Sequence, residues 1–293
     1  MRALVALVVF ALVAAGVLWI ASKPARLDPE VAAGMDKPGD AKAGEIVFWT
    51  GGCSSCHASA QAPTSLGGGA ELKTPFGPIH APNISPDPQD GIGAWSAQDF
   101  AHAIYDGVDR EGRHLYPAFP YPSYRNMSVA DVRDLWAFLR GLAPVKGVAP
   151  PPGFGFPFNI RRAVGLWNRL YLAPVAPPQS VAVADSADYG RYLVKGAGHC
   201  GECHTPRDFL GGPERSKALS GAPMPDGKGK SPNITPAGLA KWDEGDIESA
   251  LTVGITPDGD SLGGAMAEVV RNLGHLPKGH ITAIARYLKS GRL

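Results

Sequence analysis

Two copies of the pattern C-x-x-C-H constrain this chain more than any other feature of its sequence. They occupy residues 53–57 and 200–204. Two thiols at this spacing can form thioethers with the two vinyl groups of one haem, and the adjacent histidine then ligates the iron. The pattern predicts two covalently attached c-type haems, haem 1 and haem 2. The attachment residues would be Cys53, Cys56, Cys200 and Cys203, and the proximal ligands His57 and His204.

Two other interpretations of a C-x-x-C pair are a redox-active dithiol and half of a zinc site. A redox dithiol favours a thioredoxin-like β–α–β setting, which neither motif shows. A zinc site would need further cysteine or histidine pairs at short spacing. All four cysteines of the chain belong to the two motifs, so none is left for a disulfide framework.

The N-terminal segment is long and apolar enough to cross a membrane. Residues 3–21 carry no charge, and as a helix they would rise about 28 Å, close to the thickness of a bilayer's hydrocarbon core. Arg2 precedes the segment and Trp19 lies near its far end, as an interfacial anchor would. The alternative is a cleaved signal peptide, whose apolar region is usually shorter. We expect a retained anchor, with the rest of the chain exported into the periplasm.

The remainder of the chain is an internal repeat. The offset of 147 residues between the cysteine pairs also relates Trp95 to Trp242, and a Pro-Asn-Ile triplet at 82–84 recurs at 232–234. Such similarity indicates a tandem duplication, and short amphipathic stretches in both copies predict an all-α fold. The net charge of +1 offers no basic field for nucleic acid.

The apolar N-terminal segment and the repeat divide the chain into five predicted parts. The stretch between the two copies is a linker with an amphipathic piece at 160–172, which would be either a connector helix or a docking or membrane-surface helix. The predicted parts are a transmembrane signal-anchor (1–22), a tether (23–39), haem domain 1 (40–146), a Pro-rich linker with a short helix (147–184) and haem domain 2 (185–293).

The sixth iron ligand would decide what each haem can do. A c-type carrier usually completes its iron with a methionine sulfur or a second imidazole, and an open iron can bind small molecules. For haem 2 we expect Met266, which lies in a Gly-rich stretch before the last helix; Met224 is the rival. The same offset of 147 places Phe119, which cannot ligate iron, at the matching position of haem 1.

Three arrangements are open for haem 1. Met127 could move in from eight residues downstream of Phe119, although it could equally be a packing residue before the next helix. His114 could instead form a bis-histidine site of lower potential. In the third arrangement the iron stays five-coordinate beneath Phe119.

Both copies resemble class I cytochrome c domains. Residues 81–93 and 115–122, including the run Leu-Tyr-Pro-Ala-Phe-Pro-Tyr-Pro, are similar to the membrane-bound cytochrome c subunits of bacterial periplasmic alcohol and gluconate dehydrogenases. Residues 198–207 resemble the second domain of that family. Those alcohol dehydrogenase subunits carry three haems and a methionine where this chain has Phe119. Two-haem relatives, associated with other periplasmic dehydrogenases including molybdenum enzymes, do have this phenylalanine.

The resemblance implies an electron carrier and not an enzyme. Electrons would come from a partner dehydrogenase in the periplasm and leave towards quinone, a soluble cytochrome or a terminal oxidase. The alternative is a haem enzyme, peroxidase-like or thiosulfate-oxidising, in which haem 1 is open or labile.

Overall fold

The computed structural model describes residues 1–59, 61–172, 186–224, 227 and 229–291. The chain is rich in helices, as the periodicity predicted, and it adds two short antiparallel hairpins that the sequence analysis did not predict. The end of the predicted linker and the predicted domain boundary at 184–185 lie outside the described residues.

The first helix, α1 (Arg2–Ala21), is exposed along its length. Among the described residues it is the one helix long and apolar enough to span a membrane.

A second helix, α2 (Pro29–Met35), corrects the prediction of a tether at 23–39. Asp28 begins this helix, because its carboxylate accepts a hydrogen bond from the backbone N–H of Glu30 at 2.7 Å. Val31 and Met35 lie one turn apart on one face and are buried. Two apolar positions are too few to produce a recognisable periodicity in a polar stretch, so this helix was not predicted from the sequence.

The elements between residues 41 and 140 pack together and are called the first helical unit. Its first and last helices cross closely at Gly44, where a Cβ atom would lie 1.9 Å from the carbonyl oxygen of Asp134. The elements are α3 (Ala41–Thr50), α4 (Cys53–His57), β1 (Glu71–Thr74), β2 (Gly77–His80), α5 (Ala97–Asp106), α6 (Tyr121–Tyr124) and α7 (Val129–Arg140).

One helix of the predicted linker, α8 (Ala163–Tyr171), lies against the end of α1. Val164 and Gly165 are buried, whereas Leu170 is exposed on the other side.

The second helical unit, described between residues 187 and 290, repeats the crossing of the first. Gly190 lies where a Cβ atom would be 1.8 Å from the carbonyl oxygen of Ala283. Trp95 and Trp242, related by the repeat, each pack against the apolar core of their own unit. The elements are α9 (Ala187–Lys195), α10 (Gly201–His204), β3 (Ala222–Pro223), β4 (Lys230–Ser231), α11 (Glu244–Thr252), α12 (Ala265–Leu273) and α13 (Lys278–Ser290).

The apolar core of the first unit extends into the second unit. Ala197, Leu273, Leu276 and Ile281 of the second unit belong to the same buried cluster as the core residues of the first. At the edge of this contact the rings of Trp49 and His275 stack 3.7 Å apart. The units therefore hold a defined position relative to each other.

Candidate haem sites

Each C-x-x-C-H motif forms a single helical turn, α4 in the first unit and the turn leading into α10 in the second. Residues three apart in a helix lie on the same face, so both thiols of a motif point to one side. This arrangement suits a planar group that is attached through two neighbouring substituents.

The histidine of each motif is oriented by a backbone carbonyl. His57 Nδ1 lies 2.7 Å from the carbonyl oxygen of Pro82, and His204 Nδ1 lies 2.8 Å from that of Pro232. A carbonyl only accepts, so each Nδ1 carries the proton and donates it, and the lone pair of Nε2 stays free for a metal. The proline of each repeated Pro-Asn-Ile triplet therefore supplies the carbonyl that orients the motif histidine.

The electrostatics of the thiols fit haem attachment better than redox chemistry. Burial raises the pKa of Cys53 and of Cys200 to about 12. A redox-active dithiol needs the opposite, a cysteine whose pKa is lowered by nearby positive charge. Burial also lowers the pKa of His57 and His204, which keeps both imidazoles neutral and able to ligate iron. The residues present therefore fit a covalently held haem at each motif.

Each motif is hydrogen-bonded to a side chain of the other unit. Asn272, at the end of α12, is buried and uses both ends of its amide: its oxygen accepts from Ser54 Oγ at 2.9 Å, and its nitrogen donates to Ser55 Oγ at 2.7 Å. Both serines are the intervening residues of the first motif. In the opposite direction, Ser123 of the first unit donates to Glu202 of the second motif at 2.5 Å.

An aromatic residue, Tyr124, lies between the two motifs. Its hydroxyl donates to the carbonyl oxygen of Gly51 at 2.8 Å, and its ring meets that of His199 edge-on at 5.4 Å. Burial, together with the charge of the Cys203 thiolate, raises the pKa of Cys56. Sequence reasoning missed Tyr124 and Asn272, because neither belongs to a local motif.

For haem 2 the structure distinguishes the two candidate methionines. Met224 lies in the second hairpin, where its sulfur accepts a hydrogen bond from Ser231 Oγ at 3.2 Å. Met266 is half-buried in the first turn of α12, where the sequence analysis expected a loop. Ligation by Met266 remains a prediction, and the bond to Ser231 makes Met224 the weaker candidate.

For haem 1 the candidates lie in different surroundings. Met127 is fully buried in the core of the first unit, and a Cβ atom on Gly196 of the second unit would lie 3.5 Å from its Cγ. Phe119 is half-buried and packs against Tyr124, 5.5 Å between ring centroids, which places it near the first motif. Ligation by Met127 also remains a prediction, since its packing in the core is a sufficient reason for its position.

The third candidate, His114, lies at the end of α1. Its Nε2 lies 2.9 Å from the carbonyl oxygen of Ser22, and the ring is buried beside Gly165. Bis-histidine ligation by His114 stays a prediction.

Comparison with known proteins identifies the family. A cytochrome c family model matches residues 41–143. A diheme cytochrome c-type protein of Cereibacter sphaeroides is 48% identical over 279 residues, which cover 93% of this chain and 92% of that protein. This chain belongs to the family of dihaem c-type cytochromes. It therefore carries two covalently attached c-type haems and takes part in electron transfer, which confirms the prediction made from the two motifs.

Other relatives of this dihaem cytochrome are subunits of dehydrogenases. The gluconate 2-dehydrogenase cytochrome c subunit of Pantoea cypripedii is 37% identical over 87% of this chain. The alcohol dehydrogenase (quinone) cytochrome c subunit of Gluconobacter oxydans is 35% identical over 85% of it. The chain spans only 60% and 54% of these two proteins, respectively. The resemblance to this group that the sequence predicted is confirmed.

Proposed function

We propose that this dihaem cytochrome is a membrane-anchored electron relay of the periplasm, built as two tandem class I cytochrome c domains at 40–146 and 185–293. Electrons would enter from a partner dehydrogenase and leave towards quinone, a soluble cytochrome or a terminal oxidase. The chain would be an electron-transfer subunit and not itself an enzyme. The observation that carries the proposal is that each unit hydrogen-bonds to the C-x-x-C-H motif of the other unit, through Asn272 and through Ser123.

Within this proposal each motif residue has one role. The haems supply reversible one-electron chemistry at iron. Their attachment residues would be Cys53, Cys56, Cys200 and Cys203, with His57 and His204 as proximal ligands, Met266 as the sixth ligand of haem 2 and Met127 as that of haem 1. The carbonyls of Pro82 and Pro232 would hold the two imidazoles, and the apolar core would exclude water.

The contact between the units supports exchange of electrons within one molecule. Asn272 bonds the second unit to the first motif, and Tyr124 contacts Gly51 and His199, which lie close to the two motifs. Packed and hydrogen-bonded side chains would therefore fix the distance between the two sites. A relay needs such a fixed arrangement, because the rate of electron exchange depends steeply on the separation of the centres.

The names of the relatives support a dehydrogenase as electron donor. They include subunits of gluconate, fructose, alcohol and nicotinate dehydrogenases, which differ widely in substrate. The common element of their names is a dehydrogenase, and those of gluconate, fructose and alcohol dehydrogenases are named as cytochrome subunits. The donor of this chain is accordingly proposed by class and not by substrate.

Contacts at the end of α1 support a retained anchor. Arg162 donates to the carbonyl oxygen of Trp19 at 2.8 Å, and Arg169 donates to that of Ala21. Positive charges at a helix C-terminus satisfy its last carbonyls and complement its dipole. Cleavage after residue 22 would remove the partners of both arginines, so these side chains favour a helix that stays.

A flash experiment tests the relay directly. A photoreductant delivers one electron to the oxidised full chain, and the two haem absorption bands are followed in time. We expect the electron to redistribute between the haems at a rate that does not change with protein concentration. A rate proportional to concentration would mean that electrons pass only between molecules, which would contradict the proposal.

The position of Phe119 supports a second candidate function, a haem enzyme of the peroxidase-like or thiosulfate-oxidising kind. Phe119 lies beside Tyr124 near the first motif and offers no ligand atom. Cyanide added to the ferric protein tests this function: rapid binding at one haem with a shift from high to low spin would support it. Two low-spin haems that do not bind cyanide would exclude it.

A further inference from the structure

We propose that one surface of the second half of the chain rests in the headgroup region of the bilayer that holds α1. This inference extends the proposed function, because it presupposes a retained anchor. The surface, called the membrane face, is formed by the segment before α8, the exposed side of α8 and a loop after α10. Its apolar residues are Phe156, Phe158, Ile160, Leu170, Phe209 and Leu210.

The position of α8 relative to the anchor is the first argument. The guanidinium of Arg162 lies 3.8 Å from the ring centroid of Trp19, and its Nε donates to Ser22 Oγ at 3.0 Å. Gly165 lies where a Cβ atom would be 2.3 Å from the carbonyl oxygen of Ser22. The backbone of α8 therefore touches the point at which α1 ends, and a spanning α1 would bring α8 to the membrane surface.

The exposure of large apolar side chains next to this point is the second argument. Phe156 is 82% exposed, Leu170 is 69% exposed and Phe209 is 87% exposed. A soluble surface seldom carries contiguous apolar side chains of this size, and a patch of them marks an interface. Aromatic and aliphatic residues of this kind enter the boundary between headgroups and acyl chains.

The members of the membrane face are connected to one another and to α8. Trp167 Nε1 donates to the carbonyl oxygen of Leu210 at 3.0 Å, which fastens the loop carrying Phe209 to α8. On the other side of that loop, the ring of Phe76 is 4.5 Å from that of Phe158 and is also the nearest group to Gly211. These contacts place α8, the loop carrying Phe209 and the segment carrying Phe158 side by side.

The positive charges around the membrane face are the third reason to expect lipid against it. Lys23 and Arg26 are exposed directly after the anchor, and Arg169 is exposed on α8. Cations at this level match the phosphates of the headgroups. The nearest acidic residue of the loop, Asp208, is held by the hydroxyl of Tyr171 at 2.6 Å and by the N–H of Leu210 at 2.9 Å. The membrane face therefore combines exposed apolar side chains with nearby positive charges, and it lies beside the end of α1.

Photolabelling of the full chain in lipid nanodiscs tests this inference. A phospholipid with a photoactivatable group near the headgroup is incorporated, and labelled peptides are identified by mass spectrometry. We expect label in α1 and also in peptides covering 156–172 and 207–211. The combined variant Phe156→Ser, Leu170→Ser and Phe209→Ser should lose most of the label outside α1 and keep the haem spectrum.

A matched control uses exposed apolar residues elsewhere. Val253 and Ile255 are 64% and 45% exposed in the second unit, and their replacement by serine should leave the labelling pattern unchanged. Label in α1 alone would overturn the membrane face and leave the anchor intact. Absence of label from α1 as well would overturn the anchor. Burial of the membrane face in a dimer, seen as a doubled particle mass with the face unlabelled, would also overturn the inference.

Discussion

Met266 and Met224 lie in different surroundings, and their roles can be tested one residue at a time. Met224 accepts a hydrogen bond from Ser231, whereas Met266 begins a helix beside a Gly-rich stretch. We expect Met266→Ala to convert haem 2 to high spin, because no other sulfur replaces the lost ligand. Met224→Ala should leave the absorption and EPR spectra of both haems unchanged. The opposite pattern would assign the ligand to Met224.

Met127 requires a variant that separates ligation from packing. Truncating this fully buried side chain to alanine would cost about 2–5 kcal/mol of stability whatever its role. Met127→Leu keeps the volume and removes the sulfur, so stability should change little. If Met127 ligates haem 1, as predicted, both variants turn haem 1 high spin and leave haem 2 alone. An unchanged haem 1 spectrum in Met127→Leu would show that Met127 only packs.

The sequence alone identifies the haem attachment residues but not the sixth ligands. The attachment residues could be predicted because covalent attachment needs two thiols and an imidazole at a fixed, short spacing. The sixth ligand depends on which loop the fold brings over the iron, and no local pattern encodes that. His114 shows the same limit, because its partner Ser22 is 92 residues away.

At the scale of elements, each unit depends on a helix crossing that only glycine permits. A methyl group on Gly44 or Gly190 would lie within 2 Å of a backbone oxygen of the partner helix. We expect Gly44→Ala to destabilise the first unit by about 1–3 kcal/mol or more, since backbone cannot yield as a side chain can. Denaturant unfolding monitored at the haem bands measures this. Gly155→Ala, where no atom lies within 4 Å of the added methyl, is the control and should be neutral.

The amide of Asn272 connects helix α12 of the second unit to the first motif. Asn272→Ala would leave the hydroxyls of Ser54 and Ser55 without this partner, at a cost of about 1–3 kcal/mol. We expect slower redistribution of a photoinjected electron between the haems. Asn168→Ala removes a comparable amide, bonded to Tyr121 at 2.6 Å, away from the motifs. An equal slowing in both variants would mean that Asn272 acts only through general stability.

Helices with a capping residue and an apolar stripe can be found from sequence alone. Ser96 and Ser128 cap α5 and α7, and each is followed three residues later by an aspartate. The prediction failed where tertiary contacts supply the reason for a helix. Two buried residues suffice to order α2 against α5 and α7, and α12 forms where the glycines suggested a loop.

At the scale of the whole molecule, the arrangement of the units could not be predicted from the repeat. A duplication indicates two similar parts but not which faces meet. The contact is made by residues without counterparts in the other copy, such as Tyr124 and Asn272, so its geometry is a property of the folded pair. The proposed retention of α1 as an anchor belongs to this scale as well, because its support comes from two arginines that are 140 or more residues away.

The intact mass of the purified full chain tests the central claim most directly. The account predicts a mass increase equal to two haem groups that survives denaturation. One group should be lost in the double variant Cys53→Ala and Cys56→Ala, and the other in Cys200→Ala and Cys203→Ala. A mature chain that carries one haem or none, or that has thiols at either motif open to alkylation, would contradict it.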